Sequence, residues 1–212
     1  MQLLDGKKLA KELLAEYKNQ VITEKIRAVL AVIQVGSDPA STVFVKKKRE
    51  KCEAVGIGFR LIELPMDVTL NDLDENVKKL NEDKKITGIL IQLPLPPHLP
   101  KDSVVNLIIP EKDVDGLTAI SRERIISGEK TIVCATARGI LTLLEKNGLQ
   151  LMDKKIVIVG AGYLVGQPLS LVLKSRGIDF TSCNSKTENR KNITRTADIL
   201  ITATGVPNLI TA

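Results

Sequence analysis

Residues 156–170 read IVIVGAGYLVGQPLS: an apolar run, a glycine-rich loop and a helical-period segment in direct succession. This apolar run, read as a strand from Lys155 to Val159, is what a buried parallel strand requires, because both of its faces are covered. Gly160, Gly162 and Gly166 follow in the spacing G-x-G-x-x-x-G, one residue longer than the familiar dinucleotide pattern. Glycines at such points permit a tight turn and a close approach of backbone to phosphate. A helix read from Leu164 to Arg176 aims its free N–H groups at the same point. A glycine at a strand end can also be an ordinary turn. The strand-loop-helix setting is what favours a pyrophosphate site.

Downstream, a strand from Asp179 to Cys183 leads into SCNSK at 182–186, with Arg190 just beyond. NAD sites offer an acid at the end of this second strand, about 20 residues past the loop, to hold the ribose 2′-hydroxyl. Asp179 lies at the wrong end of the strand, and Ser185, Lys186 and Arg190 suit a 2′-phosphate better. NADP is therefore expected over NAD, although Lys186 and Arg190 also read as solvated loop cations. A last strand is expected from Asp198 to Thr204.

Upstream, the same alternation of short apolar runs and helical segments predicts an α/β fold. Helices are expected over Asp5–Gln20, from Pro39 to about Val55 before Gly56, from Thr69 to about Asn81, and over Thr136–Asn147 before Gly148. Strands are expected at Ala28–Val35, Gly58–Leu64 and Gly88–Leu93, the last stopped by Pro94, Pro96 and Pro97. A short helix then precedes the loop Pro110–Gly116. The lobe boundary falls between Leu117 and Thr136, so we divide the chain into residues 1–125 and 126–212.

The 212 residues are 43% hydrophobic but only 2% aromatic, without Trp, so both cores must be aliphatic. A net charge of +6 permits an anionic partner. The 31 basic residues stand beside 25 acidic ones, however, with few rings for base stacking, which argues against nucleic acid. Cys52, Cys134 and Cys183 are widely spaced and His98 is the only histidine, so no metal site is expected. The N-terminal MQLLDGKKLAKELL is a charged amphipathic pattern, with neither a secretory signal nor a membrane span. A cytoplasmic protein with reduced cysteines is the expectation.

An ordered series of motifs then carries a resemblance. LLDGKKLA (3–10), VGSDPAS (35–41), CEAVGI (52–57), GILIQLPLP (88–96), PEKDVDGL (110–117), GAGYLVGQP (160–168), CNSKT (183–187) and TATGVP (202–207) span nearly the whole chain. In this order they resemble the methylenetetrahydrofolate dehydrogenase/cyclohydrolases. Composition and spacing alone reach only a two-lobed nucleotide-binding α/β protein.

The resemblance implies an N-terminal folate-binding catalytic lobe and a C-terminal Rossmann-like NAD(P)-binding lobe. It also implies tetrahydrofolate derivatives as ligands, no membrane and a homodimer. The implied activity is NADP-dependent oxidation of 5,10-methylenetetrahydrofolate to the methenyl form, with hydrolysis to 10-formyltetrahydrofolate. The residues matching the catalytic positions are Lys48, Gln92 and Asp115, with Phe44, Leu93 and Pro94 also lining the substrate. The residues matching the cofactor positions are Thr136, Gly160, Ala161, Gly162, Val165, Gly166, Ser185, Lys186, Thr204 and Gly205. A partly buried lysine has a lowered pKa and can shuttle a proton near neutrality. Gln92 can orient that amine without adding charge, and Asp115 can accept hydrogen bonds from the pterin. The basic face of Lys46, Lys47, Arg49 and Lys51 can attract the folate glutamate tail. Taken singly, Lys48 reads as a surface lysine and Asp115 as an Asx-turn former; only the ordered set outweighs those readings.

The chain also departs from the family pattern. Phe44 stands at the usual tyrosine, Gly162 at a common serine and Asn184 at a common histidine. CATA at 134–137 replaces Pro-Cys-Thr-Pro. Family members continue beyond TATGVP, so a fragment of a longer protein is expected. The alternative function is a non-catalytic folate- or nucleotide-binding remnant.

Overall fold

A computed structural model describes residues 3–211 of the chain, so residues 1, 2 and 212 of the division above lie outside it. The chain forms two compact units, Met1–Ala119 and Ile120–Ala212, each with its own parallel sheet.

The first unit runs α1 (Gly6–Thr23), β1 (Val29–Val35), α2 (Pro39–Val55), β2 (Gly58–Leu64), α3 (Leu70–Glu82), β3 (Gly88–Ile91), α4 (Lys101–Val105) and a 3-10 turn at Pro110–Lys112. Helix starts are written locally. Asp5, Asp38 and Thr69 each accept main-chain N–H groups of the helix that follows, and Pro39 suits the first turn of α2, where no donor is needed. Gly56 closes α2 in the left-handed region, at φ 86°.

The strands pair in the order β2-β1-β3, with Ile33 beside Ile62 and Ile91. Alternation sorts the central strand onto two faces. Ala31, Ile33 and Val35 join Leu73, Val77 and Leu80 of α3 with Val104 and Ile108. Val32 and Leu90 join Val45 of α2. The sheet is thus covered on both sides, and the carboxyl ends of β1 and β3 are left to build a site.

The second unit continues with α5 (Ala119–Ser127), α6 (Ala135–Lys146), β4 (Ile156–Val159), α7 (Gly166–Ser175), β5 (Phe180–Cys183), α8 (Arg190–Arg195) and β6 (Ile199–Thr202). Its sheet order is β5-β4-β6, all parallel. Val157, Val159 and Cys183 pack with Ile193, Leu209 and Ile210. Leu169 and Leu173 of α7 and Leu141 of α6 are buried as well.

Several element ends differ from the sequence expectation. The third strand stops at Ile91 rather than Leu93, and Gln92 adds one last ladder bond by donating to the Ile33 carbonyl at 2.8 Å. The peptide bond Leu93–Pro94 is cis. Helix α7 starts at Gly166, not Leu164, because residues 160–165 turn back before the helix can begin. The last strand stops at Thr202, leaving Thr204 and Gly205 in the loop beyond its carboxyl end. Arg190, expected in a loop, opens the short helix α8. No helix among the described residues is long and apolar enough to cross a membrane.

Candidate functional site

In the first unit, three of the expected residues converge at the carboxyl end of the sheet. Lys48 projects from the middle of α2 and donates from Nζ to Oε1 of Gln92 at 2.7 Å. The same glutamine donates from Nε2 to the carbonyl of Leu93 at 2.7 Å, which fixes which amide atom faces the lysine. Gln92 is buried, so this pairing also meets its need for partners.

Asp115 lies close enough to Lys48 for each to perturb the other. Burial pushes the Lys48 amine below its ordinary value, and the Asp115 charge partly opposes that. Burial pushes the Asp115 carboxyl up; Lys48 opposes this, and Asp113 adds to it. In both groups burial thus works against the charged form, and each one's charge partly offsets that cost in the other. Perturbed pairs of this kind mark sites of proton chemistry.

Phe44 sits one helical turn before Lys48 on α2, and at 57% exposure its ring is open to a flat ligand. Leu93 is half-buried and Pro94 exposed, so both line the turn that follows Gln92. Sequence reasoning missed two neighbours. Gln34, the parallel neighbour of Gln92 on β1, is buried and donates to Thr42 Oγ1 at 3.1 Å and to the Gly36 carbonyl at 3.3 Å. Asp113 is buried too, and the Asx-turn role considered for Asp115 belongs to it. The signal was present as an Asp three residues before Gly116.

In the second unit, the loop after β4 behaves as its glycines require. Gly160 has φ 112°, and a β-carbon there would strike the Ala203 carbonyl. A β-carbon on Gly166 would overlap the Gly160 carbonyl, so the helix start and the strand end touch backbone to backbone. Gly162 meets no such neighbour and is not sterically required. A cavity of about 330 Å³ opens beside this loop, lined by Gly160, Ala161, Asn184, Ser185, Arg190 and Thr204, with apolar walls from Val206 and Leu209. Asn184 pins the CNSKT turn by accepting the Lys186 N–H at 2.8 Å. A second cavity shares Ser185 and Arg190 and adds Lys191 and Arg195, a cationic extension suited to a phosphate.

Four of the expected cofactor residues, Gly160, Ala161, Ser185 and Thr204, thus line one cavity, at the carboxyl ends of the strands where open α/β sheets bind ligands. Gly162, Val165, Lys186 and Gly205 belong to the surrounding loops and Gly166 opens α7; none of them is among its lining residues. Thr136 stands in the first turn of α6, tied to the glycine loop through Cys134, whose Sγ donates to the Leu164 carbonyl at 2.9 Å. Another cavity, lined by Met152, Lys155, Asp179 and Thr196, lies at the amino ends of the strands, away from the glycine loop.

A parallel sheet with a backbone-on-backbone glycine loop, joined in one chain to a unit bearing a partly buried Lys–Gln–Asp cluster, fits a dinucleotide-dependent enzyme of proton and hydride chemistry. The comparisons agree. Residues 4–115 match the family model for the tetrahydrofolate dehydrogenase/cyclohydrolase catalytic domain, and residues 134–212 match that for its NAD(P)-binding domain. The chain belongs to the tetrahydrofolate dehydrogenase/cyclohydrolase family.

It is 42% identical over 210 residues to the bifunctional protein FolD of Methanospirillum hungatei, covering 99% of this chain and 75% of that one. Among solved structures it is similar to the FolD dehydrogenase/cyclohydrolase of Campylobacter jejuni, with a TM-score of 0.95 and 37% identity over 99% of this chain and 76% of the other. The Trypanosoma brucei enzyme, solved with NADP and an inhibitor, gives a TM-score of 0.91 and 32% identity over 97% of this chain and 72% of that one.

Proposed function

We propose that the chain oxidises 5,10-methylenetetrahydrofolate to the methenyl form with NADP+ and hydrolyses the product to 10-formyltetrahydrofolate. Residues 1–125 would form the folate-binding catalytic domain and residues 126–212 the NADP-binding domain. The observation that carries this reading is the 2.7 Å bond from Lys48 Nζ to Gln92 Oε1, beside a carboxyl raised by burial.

In this reading Asp115 accepts hydrogen bonds from the pterin amino group and ring N–H, and so fixes the reacting carbon. Phe44, Leu93 and Pro94 lie along the flat ring. Bound NADP+ supplies the hydride acceptor. Gly160, Ala161, Gly162, Val165 and Gly166 would offer main-chain N–H groups to its pyrophosphate, and Thr136, Thr204 and Gly205 would border the same site. Ser185 and Lys186, with Arg190, meet the 2′-phosphate.

For the hydrolysis, water adds to the cationic methenyl carbon while the neutral Lys48 amine takes its proton. The proton then passes to the folate nitrogen as the carbon–nitrogen bond breaks, and the hydroxyl left on the carbon releases its own proton to water to become the formyl carbonyl. Gln92 holds the amine through its carbonyl oxygen, so the lone pair is aimed without a competing charge. Tyrosine's hydroxyl is missing at Phe44, and none of these steps uses it.

The test is reduction of NADP+ and NAD+ with 5,10-methylenetetrahydrofolate, by the parent chain and by Asp115→Ala. Turnover with NADP+ that disappears in the variant supports the reading. Ligand binding without turnover in the parent replaces it with a binding remnant. The reading extends to a cytoplasmic homodimer on the strength of the family resemblance, and sedimentation of the purified chain would report the oligomeric state.

A further inference from the structure

The loop that carries Asp115 is held down by side chains with no role in the chemistry above. Asp113 is only 2% exposed, and its carboxylate accepts four successive main-chain N–H groups. Oδ1 takes those of Asp115, Gly116 and Leu117 at 3.2, 2.8 and 3.4 Å, and Oδ2 takes that of Thr118 at 2.9 Å. Gly116, at φ 63°, lets the chain curl around that one charge.

The residues on either side of Asp113 grip other elements. Lys112 Nζ donates to the carbonyls of Leu80, Asn81 and Asp83 at 2.8, 2.6 and 2.8 Å, at the C-terminal turn of α3. Unpaired carbonyls and the negative end of the helix dipole meet there, so an ammonium fits. Val114 lies so close over Gly88 of β3 that any β-carbon at residue 88 would overlap it. A β-bridge between Asp113 and Ile89 adds a second tie to the same strand. Three consecutive residues thus anchor the loop to a helix, to its own backbone and to a strand, and Asp115 is the next residue out.

We propose that Asp113 is a positioning residue for the folate site: its carboxylate, with Lys112 as the counter-anchor on α3, holds Asp115 in place beside Lys48. The proposal rests on the reading of Asp115 as the group that holds the pterin. Charge adds a second effect. Lys48 from α2 and Asp113 from the loop itself are the charged groups that face Asp115, and Asp113 disfavours its ionised form. Neutralising Asp113 therefore lets Asp115 stay ionised to lower pH. A role confined to stability would leave that titration where it was.

The experiment is calorimetric titration of the whole chain with tetrahydrofolate, from neutral pH into the acid range, using the parent, Asp113→Asn, Lys112→Met and Asp115→Asn. Asparagine keeps one oxygen for the three-bond side of the turn and loses the charge. The expected result for Asp113→Asn is roughly tenfold weaker binding at neutral pH, the scale of a lost hydrogen bond to a charged group. Its acid-side loss of binding should also move to lower pH. Lys112→Met should weaken binding comparably with the acid side unmoved, and it tests the positioning independently should Asp113→Asn fail to fold. Parent-like affinity in Lys112→Met and in any folded Asp113→Asn, with binding lost in Asp115→Asn, overturns this proposal alone. Parent-like affinity in Asp115→Asn overturns the folate reading and this proposal with it.

Discussion

Lys48 and Gln92 stand 44 residues apart in the chain and 2.7 Å apart in space, and the consequence is a lysine whose charge is expensive. Its pKa lies below the ordinary 10.5 because burial outweighs the attraction of Asp115. The sign for catalysis follows directly. The useful form is the neutral amine, so hydrolysis should rise with pH through a midpoint below the ordinary lysine value. For stability, a depressed folded pKa contributes above the unfolded value and is lost as pH falls through the folded one. Below the ordinary lysine value the lowered pKa is therefore a cost to the fold that grows as pH falls through the folded pKa. Replacing Lys48 by Met should lower methenyltetrahydrofolate hydrolysis by about 10²- to 10⁴-fold, the usual worth of a positioned acid–base group. The same variant should lack the parent's loss of stability as pH falls from the ordinary lysine value towards neutrality. Loss of the methenyl absorbance reports the first and calorimetry the second; a hydrolysis rate unchanged in Lys48→Met would remove the lysine from the mechanism. Arginine should not rescue it, because a guanidinium stays protonated.

The glycine loop and the segment after β5 decide the cofactor. Only two of the three loop glycines are required by packing, which gives a pair of opposite expectations. Gly166→Ala forces a β-carbon into the Gly160 carbonyl and should cost about 1–3 kcal/mol of stability, as overpacking does. It should also weaken NADP binding. Gly162→Ala meets no protein atom and should leave stability nearly unchanged. Thermal melts with and without NADP distinguish these, and equal damage at both positions would refute the steric account. Arg190 belongs to both the cavity beside the loop and its cationic extension. Arg190→Ala should cut kcat/KM for NADP+ by about tenfold, given 1.5–3 kcal/mol for a charge-assisted contact, and leave NAD+ nearly untouched. An equal loss with both cofactors would place Arg190 elsewhere than at the 2′-phosphate. The sequence could rank NADP over NAD because it showed no acid at the strand end. It could not show that Arg190 opens a helix, since six residues carry too weak a periodic signal.

Each unit has its own sheet and core, so each ligand should stabilise the unit that holds it. NADP at about a hundred times its Kd should add roughly 2.7 kcal/mol to the unit it binds. Hydrogen exchange should then slow across the β4–α7 loop and the CNSKT turn, whereas tetrahydrofolate should slow it along α2 and the Asp113–Thr118 loop. Protection by either ligand confined to the other unit would contradict the assignment of the two sites. At this scale the sequence by itself determined the α/β class, the strand and helix series, the glycine loop and the family, because periodicity, capping residues and motifs are local properties of the chain. Helix starts such as Asp5, Pro39 and Thr69 were legible for the same reason: a start signal is written within a few residues. Only the tertiary structure decided that Gln92 lies beyond its strand with its carbonyl oxygen facing Lys48. It likewise decided that a β-carbon at Gly162 would meet no protein atom where those at Gly160 and Gly166 would strike backbone, and that Asp113, not Asp115, ties the DVDG turn. Those are outcomes of burial and contact between segments distant in sequence, where desolvation and steric overlap set the energies and a local pattern holds no record of them.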